Sequence, residues 1–246
     1  MSEIPSAAVL VIGDEILSGR TQDTNSCTIA RFLASLGIDL KEVRVVGDVE
    51  AEIVAAVNAL RARYRYVFTT GGIGPTHDDI TADAVAKAFG VDIAIHPEAL
   101  AMLAERIKDL NEARRRMARI PEGASLIKNS VSAAPGFQIG NVFVMAGVPG
   151  IMQAMLEDVA PRLARGTLVH SLTVTAAIGE GTIAAGLAKV QFAFPGVAIG
   201  SYPYYRPDGF GVNLVARGRD RGAVEKAAQA IEEVVRDCGA EPSRSA

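Results

Sequence analysis

Residues 7–12 read AAVLVI, six apolar side chains without a polar interruption. A strand with one wet face alternates apolar and polar residues. An unbroken apolar run bounded by turn residues is instead the pattern of a strand buried on both faces. Such a strand needs cover above and below, and the following segments can supply it. Residues 25–36 carry helical spacing, with Gly37 placed to end the helix. Residues 38–46 return as a strand, and Asp48 is placed to N-cap a helix running to about Arg63. Residues 66–70 are a short strand, and residues 81–89 a helix followed by Gly90. Strands alternating with helices at these lengths predict an α/β fold, a parallel sheet covered on both faces.

Further along, residues 97–119 are rich in helix formers and carry Arg114, Arg115, Arg116 and Arg119. GFQIGNVFVMAG, residues 136–147, predicts a hairpin turning at Gly140 and Asn141. GVPGIMQAMLEDV then opens a helix that Pro161 ends. After Gly166 the pattern changes to strand, helix, strand, strand, helix, with the last helix over residues 223–237. These expectations divide the chain into domains of residues 1–166 and 167–246, the second a small α+β unit. The tail GAEPSRSA is expected to fray.

The bulk numbers exclude some functions. A net charge of −3 over 246 residues, with no Trp, argues against a nucleic-acid partner. Cys27 and Cys238 form no metal-spaced set. The start MSEIPSAAVLVIGDE has no basic leader, and no apolar run reaches the roughly 18 residues of a membrane span. The expectation is a soluble, cytoplasmic protein without a membrane partner.

TTGGIGPTHDDIT, residues 69–81, joins a strand end to a helix start. Gly71, Gly72 and Gly74 let a ligand approach the backbone, Pro75 restrains the loop, and N–H groups at a helix start attract anions. His77, Asp78 and Asp79 follow at once, and carboxylates repel anions. One carboxylate about 5 Å from a phosphate costs about 3 kcal/mol at an effective dielectric near 20. Three resolutions are open. A divalent cation can sit between carboxylate and phosphate. An Asp can cap the helix and bind no ligand. An Asp can also accept two hydrogen bonds from an amidine-like edge such as that of a pterin. Three other loops are expected at the same sheet edge: GDEILSGRTQDTN with Gly13, Asp14, Glu15, Gly19 and Asn25; Gly47–Asp48; and AGVPG with Gly147 and Pro149. Asn25 contacts a ligand there or caps its helix.

VIGDEILSGRTQDTN, VVGD, TTGGIGPTHDDIT, APGF and GVP together resemble the N-terminal domain of the CinA (competence/damage-inducible protein A) family, within the MoaB/Mog molybdopterin-binding superfamily. IGE at residues 178–180 and PGVAIGSYP at 195–203 are similar to its small KH-type second domain. The resemblance implies a three-layer α/β/α sandwich, a KH-type-like α+β domain and a homo-oligomer, dimer or trimer. It implies a small-molecule nucleotide or pterin as partner, through Gly13, Asp14, Glu15, Gly19, Asn25, Gly71, Gly72, Gly74, Pro75, Thr76, Gly147 and Pro149. It matches Asp48 and Asp79 to the catalytic aspartates of Mog-type adenylylation. In the CinA branch it implies hydrolysis of nucleotide pyrophosphates such as ADP-ribose with Mg²⁺, Mn²⁺ or Co²⁺. Asp48, Asp78 and Asp79 are then the metal residues, with His77 orienting water or standing as a surface histidine. Molybdopterin is the alternative ligand, for adenylyl transfer or for binding without catalysis. The position of the Mog arginine holds Asp78, which favours the CinA-like branch. AGVP replaces PGVP, and NSVSAAPGF replaces NPVGTAPGF.

Other residues carry less. Arg115 or Arg119 can reach a phosphate, although a solvated face is the simpler reading. Met152 and Met155 read as core, and Tyr202, Tyr204 and Tyr205 as packing or interface.

Overall fold

The structure is a computed structural model, and it describes residues 4–206 and 209–245. The chain forms two compact units, Met1–Gly166 and Thr167–Ala246.

The first unit is built around β1, Ser6–Ile12. Its alternate side chains enter two separate cores. Ala8, Leu10 and Ile12 pack on one side, and Ala7, Val9 and Val11 on the other. Parallel neighbours flank it: β2, Asp39–Val46, and β3, Tyr66–Thr70. A short helix α1, Asp14–Leu17, lies in the loop after β1. One face is covered by α3, Glu50–Arg63, α4, Thr81–Phe89, and α5, Pro97–Arg106, through Ile53, Val57, Leu60, Val85 and Leu103. The other is covered by α2, Asn25–Ser35, and α7, Pro149–Val159, through Ile29, Leu33, Met152 and Met155. This is the α/β/α sandwich.

The sheet is mixed beyond its parallel centre. Its order is β2-β1-β3-β8-β7-β6, with β6 at Ser125–Ile127, β7 at Gly136–Ile139 and β8 at Val142–Met145. β8 runs parallel to β3, and β7 returns antiparallel through Gly140, φ 55°, and Asn141. The Asn141 amide donates to the carbonyls of Arg61 and Tyr64, which stops the end of α3 from lying unpaired.

The helix formers of residues 97–119 make two helices, and two local expectations, at Asp48 and in the tail, are corrected. The chain breaks into α5 and α6, Glu112–Arg116, the latter capped by Asn111, and then pairs β5, Arg119–Pro121, with β4, Ile93–Ile95. Asp48 does not cap α3, because its carboxylate is turned to the first loop. The tail does not fray throughout: β12, Ser243–Ser245, pairs with β9, His170–Ala176, and Arg244 is held by Glu225 and Glu232.

The second unit is α+β, as expected. Helices α8, Glu180–Ala193, and α9, Arg221–Asp237, join strands β10, Ala198–Arg206, and β11, Gly209–Gly218. The sheet is antiparallel in the order β10-β11-β9-β12. On α9, Val224, Ala227, Ala228, Ile231 and Val235 form one buried stripe. Gly186 of α8 admits it, since a Cβ there would lie 2.2 Å from a Val234 methyl. Tyr202 and Tyr205 are exposed, so these two do not serve packing within the unit. Among the described residues no helix is long and apolar enough to cross a membrane.

Leu10 is fully buried at the centre of the sheet. Leu10→Ala is expected to cost about 2–5 kcal/mol in urea unfolding. A loss below about 1 kcal/mol would contradict the two-sided burial of β1.

Candidate functional site

The C-terminal ends of β1, β2, β3 and β8 bring four loops together. Gly71, φ 104°, passes so close to β1 that a Cβ would lie 2.1 Å from the Ile12 carbonyl. A Cβ on Gly147 would lie 3.2 Å from the Gly71 Cα. Only glycine permits that crossing of the β3 and β8 loops. The β2 loop joins on the other side. The Asp14 N–H donates to Asp48 Oδ2 at 3.0 Å, and the Asp14 carboxylate lies against Gly47. The Glu15 carboxylate folds back over Gly13, whose N–H donates to the Val46 carbonyl at 3.1 Å.

The glycine loop is braced from within. The buried Thr81 hydroxyl donates to the Gly71 carbonyl at 3.0 Å, and the Thr81 N–H to the Gly72 carbonyl at 3.0 Å. The Thr76 N–H and hydroxyl both donate to Asp79 Oδ2, at 2.8 and 2.5 Å. The Asp79 carboxylate thus closes the turn over Gly74 and does not cap α4. Asp78 is exposed beside it. His77 points into solvent, with Nδ1 3.9 Å from Asp78 Oδ1, and among the described residues no other side chain holds its ring.

Asn25 joins the first loop to the last. Its amide donates to the Gly147 carbonyl at 2.7 Å, while Asp23 caps α2 by accepting from the N–H groups of Asn25 and Ser26. A cleft of about 370 Å³, counting its open mouth, lies between these loops. Glu15, Asn25, Gly71, Gly147 and Pro149 line it, together with Thr70 and Asp23, which the sequence reading did not single out. Asn25 Oδ1 and Thr70 Oγ1 are buried without a hydrogen-bond partner. Unsatisfied polar atoms in a cleft wall mark a place for a polar ligand or ordered water. Gly19, φ 72°, sits in open solvent away from the cleft.

The electrostatics are lopsided. Burial pushes the Asp48 carboxyl above its ordinary range, and the charges of Asp14, Glu15 and Asp78 push the same way; the hydrogen bond from Asp14 opposes them. The Thr76 side chain and the backbone at Asp78 hold the Asp78 carboxyl low. No Lys or Arg pairs with Asp14, Glu15, Asp48 or Asp78 among the described residues. Nor do three His, Cys, Asp or Glu side chains there converge tightly enough to enclose a metal by themselves. One or two of these carboxylates are the most the protein would present to any one cation there, so the rest of a shell would have to be water or ligand oxygens.

On the other side of the glycine loop, Arg119 forms a two-pronged pair with Asp83, at 2.8 and 2.6 Å. That engagement removes Arg119 as a free phosphate ligand.

Asp48 binds its proton more tightly folded than unfolded. The native state therefore holds more protons between the two pKa values, and stability falls as pH rises through that window. In EDTA-containing buffer, Asp48→Asn is expected to melt higher than wild type at pH 7. The gap should close as pH falls to about the unperturbed carboxylate value near 4. A lower melting temperature for the variant at pH 7 would contradict this.

Residues 8–165 match the probable molybdopterin-binding domain family, and residues 168–240 match the FAD synthase middle domain. A protein from Thermococcus kodakarensis is 37% identical over 92% of this chain and 96% of its own length. A CinA-like protein from Syntrophotalea carbinolica is 38% identical over 63% of this chain, which spans 40% of that protein. The crystal structure described as CinA of unknown function from Thermoplasma acidophilum is 36% identical, with a TM-score of 0.62, over 65% of this chain and 98% of its own. The chain belongs to the probable molybdopterin-binding (MoaB/Mog) domain family, with a CinA-type first domain.

Proposed function

We infer that the protein hydrolyses the pyrophosphate bond of a nucleotide such as ADP-ribose with the help of a divalent cation. The observation that carries this reading is the carboxylates of Asp14, Glu15, Asp48 and Asp78 gathered beside the glycine loop, with no Lys or Arg paired to them among the described residues. A pyrophosphate cannot approach four carboxylates unaided, since each costs about 2–3 kcal/mol at 5–6 Å. Asp48, Asp78 and Asp79 would hold the cation, one or two at a time. Bound there, a divalent cation lowers the pKa of water and polarises the phosphoryl group.

The protein's own contribution is positional. Thr81 and Asp79 brace the loop of Gly71, Gly72 and Gly74, Thr81 by donating to the Gly71 and Gly72 carbonyls and Asp79 by accepting from Thr76. Asn25, Thr70, Gly147 and Pro149 form the cleft wall for the rest of the ligand. Asp48, partly buried and already fixed by the Asp14 N–H, is oriented before the ligand arrives. Water attacks one phosphorus, the bridging P–O bond breaks, and AMP and ribose 5-phosphate leave. His77, held by nothing beyond Asp78, becomes a water-orienting group only if ligand fixes its ring.

The family description favours a second reading, a pterin ligand such as molybdopterin in the same cleft. The two separate in one assay. Purified protein with ADP-ribose, FAD or NAD and Mg²⁺, Mn²⁺ or Co²⁺ is expected to release AMP. EDTA should abolish release, and Asp79→Ala should cut it by about a hundredfold or more. Release unaffected by EDTA, or none from any substrate while molybdopterin binds, would overturn the hydrolase reading.

A further inference from the structure

The two helical layers of the first unit differ in charge. On one face, α3 alone carries Glu50, Glu52, Arg61 and Arg63, as a solvated helix does. On the other, α2 and α7 together carry three charged side chains, Arg31, Glu157 and Asp158. Asp158 is taken by Arg162. Exposed positions around them are small or uncharged, among them Cys27, Ala34, Ser35, Gly150 and Gln153. Depletion of charge marks the core of a protein interface more than free surface.

A groove of about 880 Å³, counting its open mouth, runs between the two helices. Thr28, Arg31 and Phe32 of α2 form one wall, and Leu156, Glu157 and Ala160 of α7 the other. Leu156 is buried and Phe32 half-buried, which makes the floor apolar. Arg31 and Glu157 are exposed, one on each wall, and neither has an ion-pair partner among the described residues.

A groove with an unpaired cation on one wall and an unpaired anion on the other complements a second copy of itself. A two-fold axis along the groove exchanges the walls, so that α2 lies over the partner's α7. Arg31 then meets the partner's Glu157, and the contact occurs twice. We propose that the protein self-associates through this face, as a two-fold dimer with two Arg31–Glu157 pairs flanking the apolar floor. The groove shares no lining residue with the cleft of Asn25 and Gly147, so the interface stands apart from the hydrolase reading.

The test is sedimentation velocity of the full chain over a concentration series, for wild type, Arg31→Glu, Glu157→Arg and an equal mixture of the two variants. Wild type should be dimeric by about 100 µM. Each variant alone sets like charges against each other at both contacts and should associate at least tenfold more weakly. In a heterodimer of the two variants, both contacts regain opposite charges, although neither chain's own groove does. The mixture should therefore recover wild-type association. Unchanged far-ultraviolet circular dichroism keeps the loss in the single variants from being a folding effect. A wild type that stays monomeric at about 100 µM, single variants that associate as well as wild type, or a mixture no more associated than its components would overturn the interface.

Discussion

Asp14, Glu15 and Asp78 crowd Asp48 with charge of its own sign at one sheet edge, and among the described residues no Lys or Arg pairs with any of the four. For Asp48 that proximity is uphill in the folded chain. It persists because neighbouring interactions over-determine the backbone that carries it. The Asp14 N–H binds Asp48 across two loops, Thr76 closes on Asp79, and Thr81 stitches the glycine turn. Arrangements that cost stability and are held by rigid surroundings are where ligand chemistry is expected.

The rigidity comes from β1. Its two faces feed two cores, so β1 and its parallel neighbours are pinned by helices above and below. The loops at their C-terminal ends then have little freedom. Gly71 slides against Ile12 at a spacing that any side chain would push apart, and Gly147 packs tightly on Gly71. The cleft lined by Asn25, Thr70, Gly71 and Gly147 lies beside that crossing.

Much of the first unit was legible because its signals are local. AAVLVI announces two-sided burial, and glycines after helices mark real helix ends at Gly37 and Gly90. What was not legible depends on contacts between distant residues. Asp48 looks like a helix cap by position, yet Asp14, 34 residues away, takes its carboxylate. Residues 97–119 have helical composition, yet Arg119 is drawn into a strand pair and to Asp83. The last residues looked free to fray, yet Arg244 finds two glutamates on α9 that nothing in the tail announces. In the site, the glycines and aspartates were readable as a motif. Thr70 was not, since it matters only through the wall it completes.

The central claim is that a cation and a diphosphate each make the site acceptable to the other. The most direct measurement is Mn²⁺ binding by electron paramagnetic resonance, with and without ADP-ribose, in wild type and Asp48→Asn. The account predicts weak Mn²⁺ binding alone, at least tenfold tighter binding with ADP-ribose present, and loss of that enhancement in the variant. ADP-ribose bound equally well in EDTA, or Mn²⁺ binding indifferent to the nucleotide and to Asp48, would contradict it.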